Sequence, residues 1–206
     1  MEPDAVEIRV VGCLIEKQRT TPDVYPLTLN ALRLACNQST NRDPVVDYDE
    51  NTIRAGIERL VQRKWATLAS WSNRRSMKYR QTLDAALGLD EAELSVMAVL
   101  MLRGPQTPGE LKARTERLHR FGDMEQLGAT IERLAGRELV ARLERRPGQR
   151  EERYAQLLGE ASEQAEQVEE RAAAPDDDRI DRIDRIEREL RELRSAVQAL
   201  REELGT

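Results

Sequence analysis

The sequence predicts a mainly α protein with small β-hairpin wings, an α+β fold of two tandem winged helix-turn-helix domains followed by a C-terminal coiled-coil helix. Three observations predict it. From Asp47 to Gln81 an amphipathic helix runs straight into two strand-like segments joined by the turn-rich SNRRS. The same order of helices and hairpin restarts at Leu89. Residues 179–206 carry apolar side chains alternately three and four apart, the spacing of a coiled-coil seam.

Residues 4–19 (DAVEIRVVGCLIEKQR) read as an amphipathic helix that turns Val6, Val10, Cys13, Leu14 and the stem of Lys17 to the core. Pro22 and Pro26 in TTPDVYP bar its continuation. Pro26 then suits the start of a second helix, LTLNALRLACNQ, with Thr28 and Asn30 in its first turns and Leu29, Leu32 and Cys36 packing. STNRDP (39–44) is a polar loop whose Asn and Thr suit a helix-ending turn; contact with a ligand or with a nucleic-acid backbone is the other reading. Asp47 with Glu50 three residues on reads as a capping box for the third helix, whose Ile53, Ile57, Leu60 and Val61 share one face. Ala66–Trp71 and Met77–Gln81 make the hairpin, with Met77 and Tyr79 inward and Lys78 and Arg80 outward.

In the second half, DEAELSVMAVLMLRG is an apolar helix ending near Gly104. Thr107 with Glu110, and Asp123 with Gln126, cap two further helices, and VARLE and ERYAQLL flank the turn RRPGQRE. The halves form an internal repeat. IERL stands at 57–60 and again at 131–134, and Tyr79 and Tyr154 follow the two turns at nearly the same offset. A register kept across helix, turn and hairpin indicates duplication. The predicted domains are 1–84 and 85–158, then an acidic linker or helix at 159–178 and the coiled-coil helix at 179–206.

In that last helix Ile183, Leu190, Val197 and Leu204 occupy a positions and Ile186, Leu193 and Leu200 occupy d positions. The pattern suits self-association, a dimer first; folding back onto the preceding domains is the alternative. Charge is uneven along the chain. Lys and Arg exceed Asp and Glu by 2 over residues 1–84, balance them over 85–158, and fall short by 7 over 159–206. The acidity of the whole therefore belongs to the tail, and the remainder stays compatible with nucleic acid.

No apolar run approaches the roughly 18 residues of a membrane span, and MEPDAVEIR lacks signal-peptide order, so a cytoplasmic protein is expected. Cys13 and Cys36 lie in apolar helical stripes and read as buried, reduced core thiols. With His119 the single histidine and no CxxC, no metal site is expected. Nucleotide-loop, nucleophile-elbow and zinc-protease motifs are absent, so neither an enzyme nor a cofactor is expected.

The strings GCLIEKQRTTPDVYPLTLNALRLACNQSTNRDPV, KWATLASWSNRRSMKY, LMLRGPQTPGELKARTERLHRF and PGQREERY resemble the YceH-like family of bacterial proteins over about residues 5–158. The resemblance implies tandem winged-helix domains and brings no catalytic residues with it.

The residues themselves point to binding. On the face of the third helix away from the core stand Asn51, Arg54, Glu58 and Gln62, with Arg59 and Arg63 at the flanks. Arg and Asn suit guanine and adenine edges in the major groove of double-stranded DNA. Asn73, Arg74, Arg75, Lys78 and Arg80 on the hairpin suit phosphates. Asp49, Glu50 and Glu58 oppose this, and charges on such a face also serve simply to solvate it. The equivalent helix of the second half shows Glu125, Gln126, Ala129, Glu132 and Arg133, a set suited to packing or protein contact. A protein-interaction scaffold is thus the alternative to a DNA-binding regulator.

Overall fold

A computed structural model of the chain describes residues 2–69, 77–143 and 151–159. These residues belong to one compact unit, mainly helical with short antiparallel strands. The hairpin tips at 70–76 and 144–150, the acidic segment and the heptad positions from Ile183 to Leu204 lie outside the described residues.

Helix α1 (Ala5–Thr20) starts where the Asp4 side chain accepts the Glu7 N–H and Glu7 reaches back to the Asp4 N–H, a complete capping box. A 3-10 turn (Pro22–Val24) and a two-residue strand β1 (Leu27–Thr28) follow. Thr28, placed by the sequence in the first turn of the next helix, is instead the N-cap of α2 (Leu29–Cys36) and accepts from Ala31. Pro26 therefore precedes a strand rather than a helix. Next come α3 (Glu50–Gln62), β2 (Ala66–Ala69), β3 (Lys78–Gln81) and the short α4 (Leu83–Leu87). The second half repeats the order with α5 (Glu91–Arg103), α6 (Pro108–Thr115), α7 (Met124–Gly136), β4 (Val140–Leu143) and β5 (Arg153–Gln156).

The cap of α3 differs from expectation. Glu50 is the first helical residue, and Asp49 caps by accepting the Thr52 N–H at 2.7 Å. The reason lies in the preceding residues. Asn37 holds Tyr48 at both its N–H and its carbonyl, and its amide also donates to Asp47. Tied in this way, the chain begins the helix only at Asp49.

Helix α1 also differs from the one-sided helix the sequence suggests. Every residue from Glu7 to Ile15 is buried, because α3 covers one face and α5 the other. Helix α5 is buried as completely from Glu93 to Leu102. A Cβ at Gly12 would lie 3.1 Å from Leu102 and from the Met101 Cβ, so glycine sets how closely the two helices cross. Each large apolar side chain buried here contributes about 1.5–3 kcal/mol.

The first sheet has the order β1-β3-β2, with Leu68 opposite Tyr79 and Ala69 opposite Lys78. Tyr79 is buried at 5% exposure, as expected, but Met77 is 61% exposed. Met77 lies one residue beyond the last paired rung, Ala69–Lys78, outside the strand whose alternation buries Tyr79. In the second half β4 pairs with β5, and Gln106 bridges Tyr154 as Leu27 pairs Tyr79 in the first.

Candidate nucleic-acid interface

Ile53, Ile57 and Leu60 are fully buried, which fixes which side of α3 faces out. A Cβ at Gly56 would come within 2.8 Å of the Val6 side chain, so this helix, too, sits close on α1. Asn51, Ala55, Glu58 and Gln62 are exposed on the outer side, and Arg54 is partly exposed. The Arg54 guanidinium pairs with Glu50 at 2.6 Å, an i,i+4 contact worth about 0.3–0.5 kcal/mol on an exposed helix face. Such a pair gives way readily to a phosphate or a base.

Arg59 and Arg63 are placed differently. Arg59 Nε donates to Glu7 at 3.0 Å while its terminal nitrogen contacts Asp4, and Arg63 Nε donates to Glu7 at 2.8 Å. Glu7 is only 2% exposed. Burial pushes its carboxyl up, but the hydrogen bonds from Arg59 and Arg63 and from the Asp4 backbone outweigh it and hold the carboxyl below its ordinary value. These two arginines fasten the end of α3 to the start of α1.

The second half repeats the clamp. Asp90 and Glu93 form the capping box of α5, Arg133 donates to Glu93 at 3.1 Å and to Asp90 at 3.0 Å, and Arg137 approaches Glu93. The sequence carried the signal in both copies: an Asp-x-x-Glu helix start and the string IERLxxR, at 57–63 and 131–137. Its arginines are shared because the packing is shared. Glu125, Gln126, Ala129 and Glu132 stand exposed on α7.

On the hairpin, Arg80 is exposed opposite Thr67, and Lys78 is partly buried between Ala69 and Thr28. Asn73, Arg74 and Arg75 fall outside the described residues. Arg42 ties the 39–44 loop to the helices. The Arg42 side chain is fully buried, donates to both Glu16 oxygens at 3.1 and 2.6 Å and to the Ala35 carbonyl, and so closes α1 onto the end of α2. Arg9 donates to the Pro44 carbonyl at 2.6 Å, and the Asp43 N–H reaches the Leu102 carbonyl of α5. Cys13 and Cys36 are buried free thiols in the same layer. His119 stands edge-on to Phe121 with ring centroids 4.8 Å apart. Among the described residues no three of His, Cys, Asp or Glu gather as metal ligands, and no helix is long and apolar enough to cross a membrane.

The described residues form a mainly helical unit with a polar, uncovered face of α3 beside a short sheet. Residues 4–149 match the family described as "Protein of unknown function, DUF480". A UPF0502 protein of Azotobacter vinelandii is 48% identical over 169 residues, covering 82% of this chain and 75% of that one. One from Shewanella amazonensis is 45% identical over 189 residues, covering 86% and 88% respectively. The chain belongs to this bacterial DUF480/UPF0502 family, in keeping with the YceH-like resemblance of its motifs.

Proposed function

We propose that the protein binds double-stranded DNA, as a regulator would, through its first half used as a winged helix-turn-helix with α3 as recognition helix. The uncovered face of α3 carries the proposal: Asn51, Glu58 and Gln62 are exposed and Arg54 partly so, while the opposite side is fully buried. Asn51 and Arg54 would read base edges. Lys78, together with Asn73, Arg74 and Arg75 of the predicted tip, would hold phosphates. The second half, with the same topology and an acidic α7 face, serves as packing partner. Self-association through the heptads from Ile183 to Leu204 would place two such units on one duplex, in the cytoplasm. No catalytic step is part of the proposal.

The test is binding to random-sequence duplex across a salt series, for the wild type and for Arg54→Ala and Arg74→Ala/Arg75→Ala/Lys78→Ala variants. Each lost phosphate contact should flatten the salt slope by about 0.9 log units per log of salt. Arg54→Ala should cost about 1–3 kcal/mol at a selected site, with relaxed base preference. No binding by the wild type at low salt would overturn the proposal.

One observation favours a protein partner instead. Leu68 and Met77, 49% and 61% exposed, stand near the end of the paired strands on the side that carries Tyr79. Under that reading, Leu68→Ser/Met77→Ser would abolish a protein contact and leave DNA affinity unchanged.

A further inference from the structure

The duplication supplies an internal comparison for every residue of the first half. At the end of α3 the chain reverses through Lys64, at φ +62°, and the Trp65 N–H bonds the Leu60 carbonyl at 2.9 Å. At the end of α7 the same reversal runs through Glu138, at φ +56°, and the Leu139 N–H bonds the Leu134 carbonyl at 3.0 Å. The turn is thus built equally well with glutamate and leucine. On the neighbouring strand, Arg80 follows Tyr79 where Ala155 follows Tyr154. The fold accounts for an apolar residue at Trp65, which packs partly on the core as Leu139 does, but not for an indole there, nor for Lys64 and Arg80, and the three line one groove.

They line an open groove of about 620 Å³ at the base of the first hairpin. That volume falls within the roughly 300–1,000 Å³ of small-molecule sites. Val61 and the partly buried Trp65 indole give it apolar surface, and Arg63, Lys64 and Arg80 give it three cations, with no carboxylate among the residues lining it. The Arg63 guanidinium carbon lies 6.0 Å from the Trp65 ring centroid and its Nε is engaged by Glu7, so Arg63 braces the indole. Lys64 and Arg80 are exposed.

The groove sits on the rungs Ala66–Gln81 and Thr67–Arg80, the end of the hairpin away from its tip. It also lies at the C-terminal end of α3, whereas Asn51 and Arg54 lie near the N-terminal end. It is distinct from the Asn51 and Arg54 face proposed to read bases, and of the hairpin residues suited to phosphates it takes in only Arg80.

We infer that this groove binds a nucleobase carrying a phosphate, with the base against Trp65 and the phosphate between Lys64 and Arg80. An indole offers a sequence-tolerant platform for any base. An ammonium and a guanidinium at its rim match a phosphate in charge and in hydrogen-bond geometry. A free nucleotide and a single strand of nucleic acid both present this chemistry.

The test uses the full chain with Trp71→Phe, which leaves Trp65 the single tryptophan and its fluorescence a reporter of the groove. AMP, ATP, adenosine, inorganic pyrophosphate and a short deoxyadenosine oligonucleotide are titrated, with calorimetry alongside. AMP, ATP or the oligonucleotide should quench Trp65 saturably below about 1 mM, and adenosine and pyrophosphate should each bind at least ~10-fold more weakly. Arg80→Gln, an exposed change, should weaken binding about tenfold. Trp65→Leu, which copies the residue at the equivalent turn, should abolish it while the chain stays folded. Tighter binding of the oligonucleotide assigns the site to a strand, and tighter binding of ATP assigns it to a free nucleotide. No saturable binding to about 5 mM, equal binding of pyrophosphate and ATP, or full affinity in Arg80→Gln and Lys64→Gln would each overturn the inference.

Discussion

Replacing Glu7 by glutamine tests the helix clamp with almost no change of shape. The carboxylate is 2% exposed and receives Arg59 at 3.0 Å and Arg63 at 2.8 Å. A net hydrogen bond to a charged group contributes about 1.5–3 kcal/mol, so two such bonds set an upper figure near ~6 kcal/mol. The arginine side chains are 36% and 25% exposed and regain water once released, and Arg59 keeps Asp4. The glutamine oxygen also still accepts one bond. A loss of about 2–3 kcal/mol remains, which for a chain of this size lowers Tm by roughly 5–10 °C. Thermal melts at pH 7, followed by circular dichroism and calorimetry, give the number.

Acid titration separates charge from packing. The folded carboxyl lies below its unfolded value of 4.5, so its contribution is complete above that pH and fades as the pH falls through the folded value. The gap between wild type and Glu7→Gln should therefore narrow on acidification below about 4.5. A Tm within about 1 °C of wild type at pH 7, or a gap that stays constant on acidification, would refute the clamp. Glu93→Gln on α5, where of the two arginines only Arg133 donates to the carboxylate, at 3.1 Å, and Arg137 stands off at 3.5 Å, should give a smaller Tm loss at pH 7.

Two further outcomes follow from the packing. Gly12→Val places a branched side chain where even a Cβ meets Leu102 and Met101 at 3.1 Å, so α1 and α5 must separate; denaturant unfolding should show at least about 1–3 kcal/mol lost. Arg42→Ala leaves the Glu16 carboxylate, 15% exposed, without its bidentate partner and should cost about 3–5 kcal/mol. Burial pushes the Glu16 carboxyl up and the Arg42 contacts hold it below its ordinary value, so this loss should shrink in acid. Retention of wild-type stability by Arg42→Ala would return the 39–44 loop to the ligand-contact reading.

Local signals in the sequence determined the order of the longer helices and the hairpins, the caps at Thr107 and Asp123, and the register of IERL and Tyr79/Tyr154, but not β1 or the short α4. Helical period, cap chemistry and turn composition act over a few residues, so they are legible without knowing where the rest of the chain lies. The α3 cap failed at that same range because Asn37, more than ten residues upstream, holds the residues before it. Which way an arginine turns is not local either. Arg59, at the flank of α3, finds Glu7 across a separation of 52 residues, whereas Arg54, on its outer face, finds Glu50 four residues away. Only the placement of α1 turns Arg59 into a clamp. The second buried face of α1 likewise exists only because α5 packs on it, and Arg42 is buried only because Glu16 and the Ala35 carbonyl meet there. The Trp65 groove forms the same way: Lys64 and Arg80 come to line one groove when the hairpin folds back, and nothing in their spacing along the chain announces it.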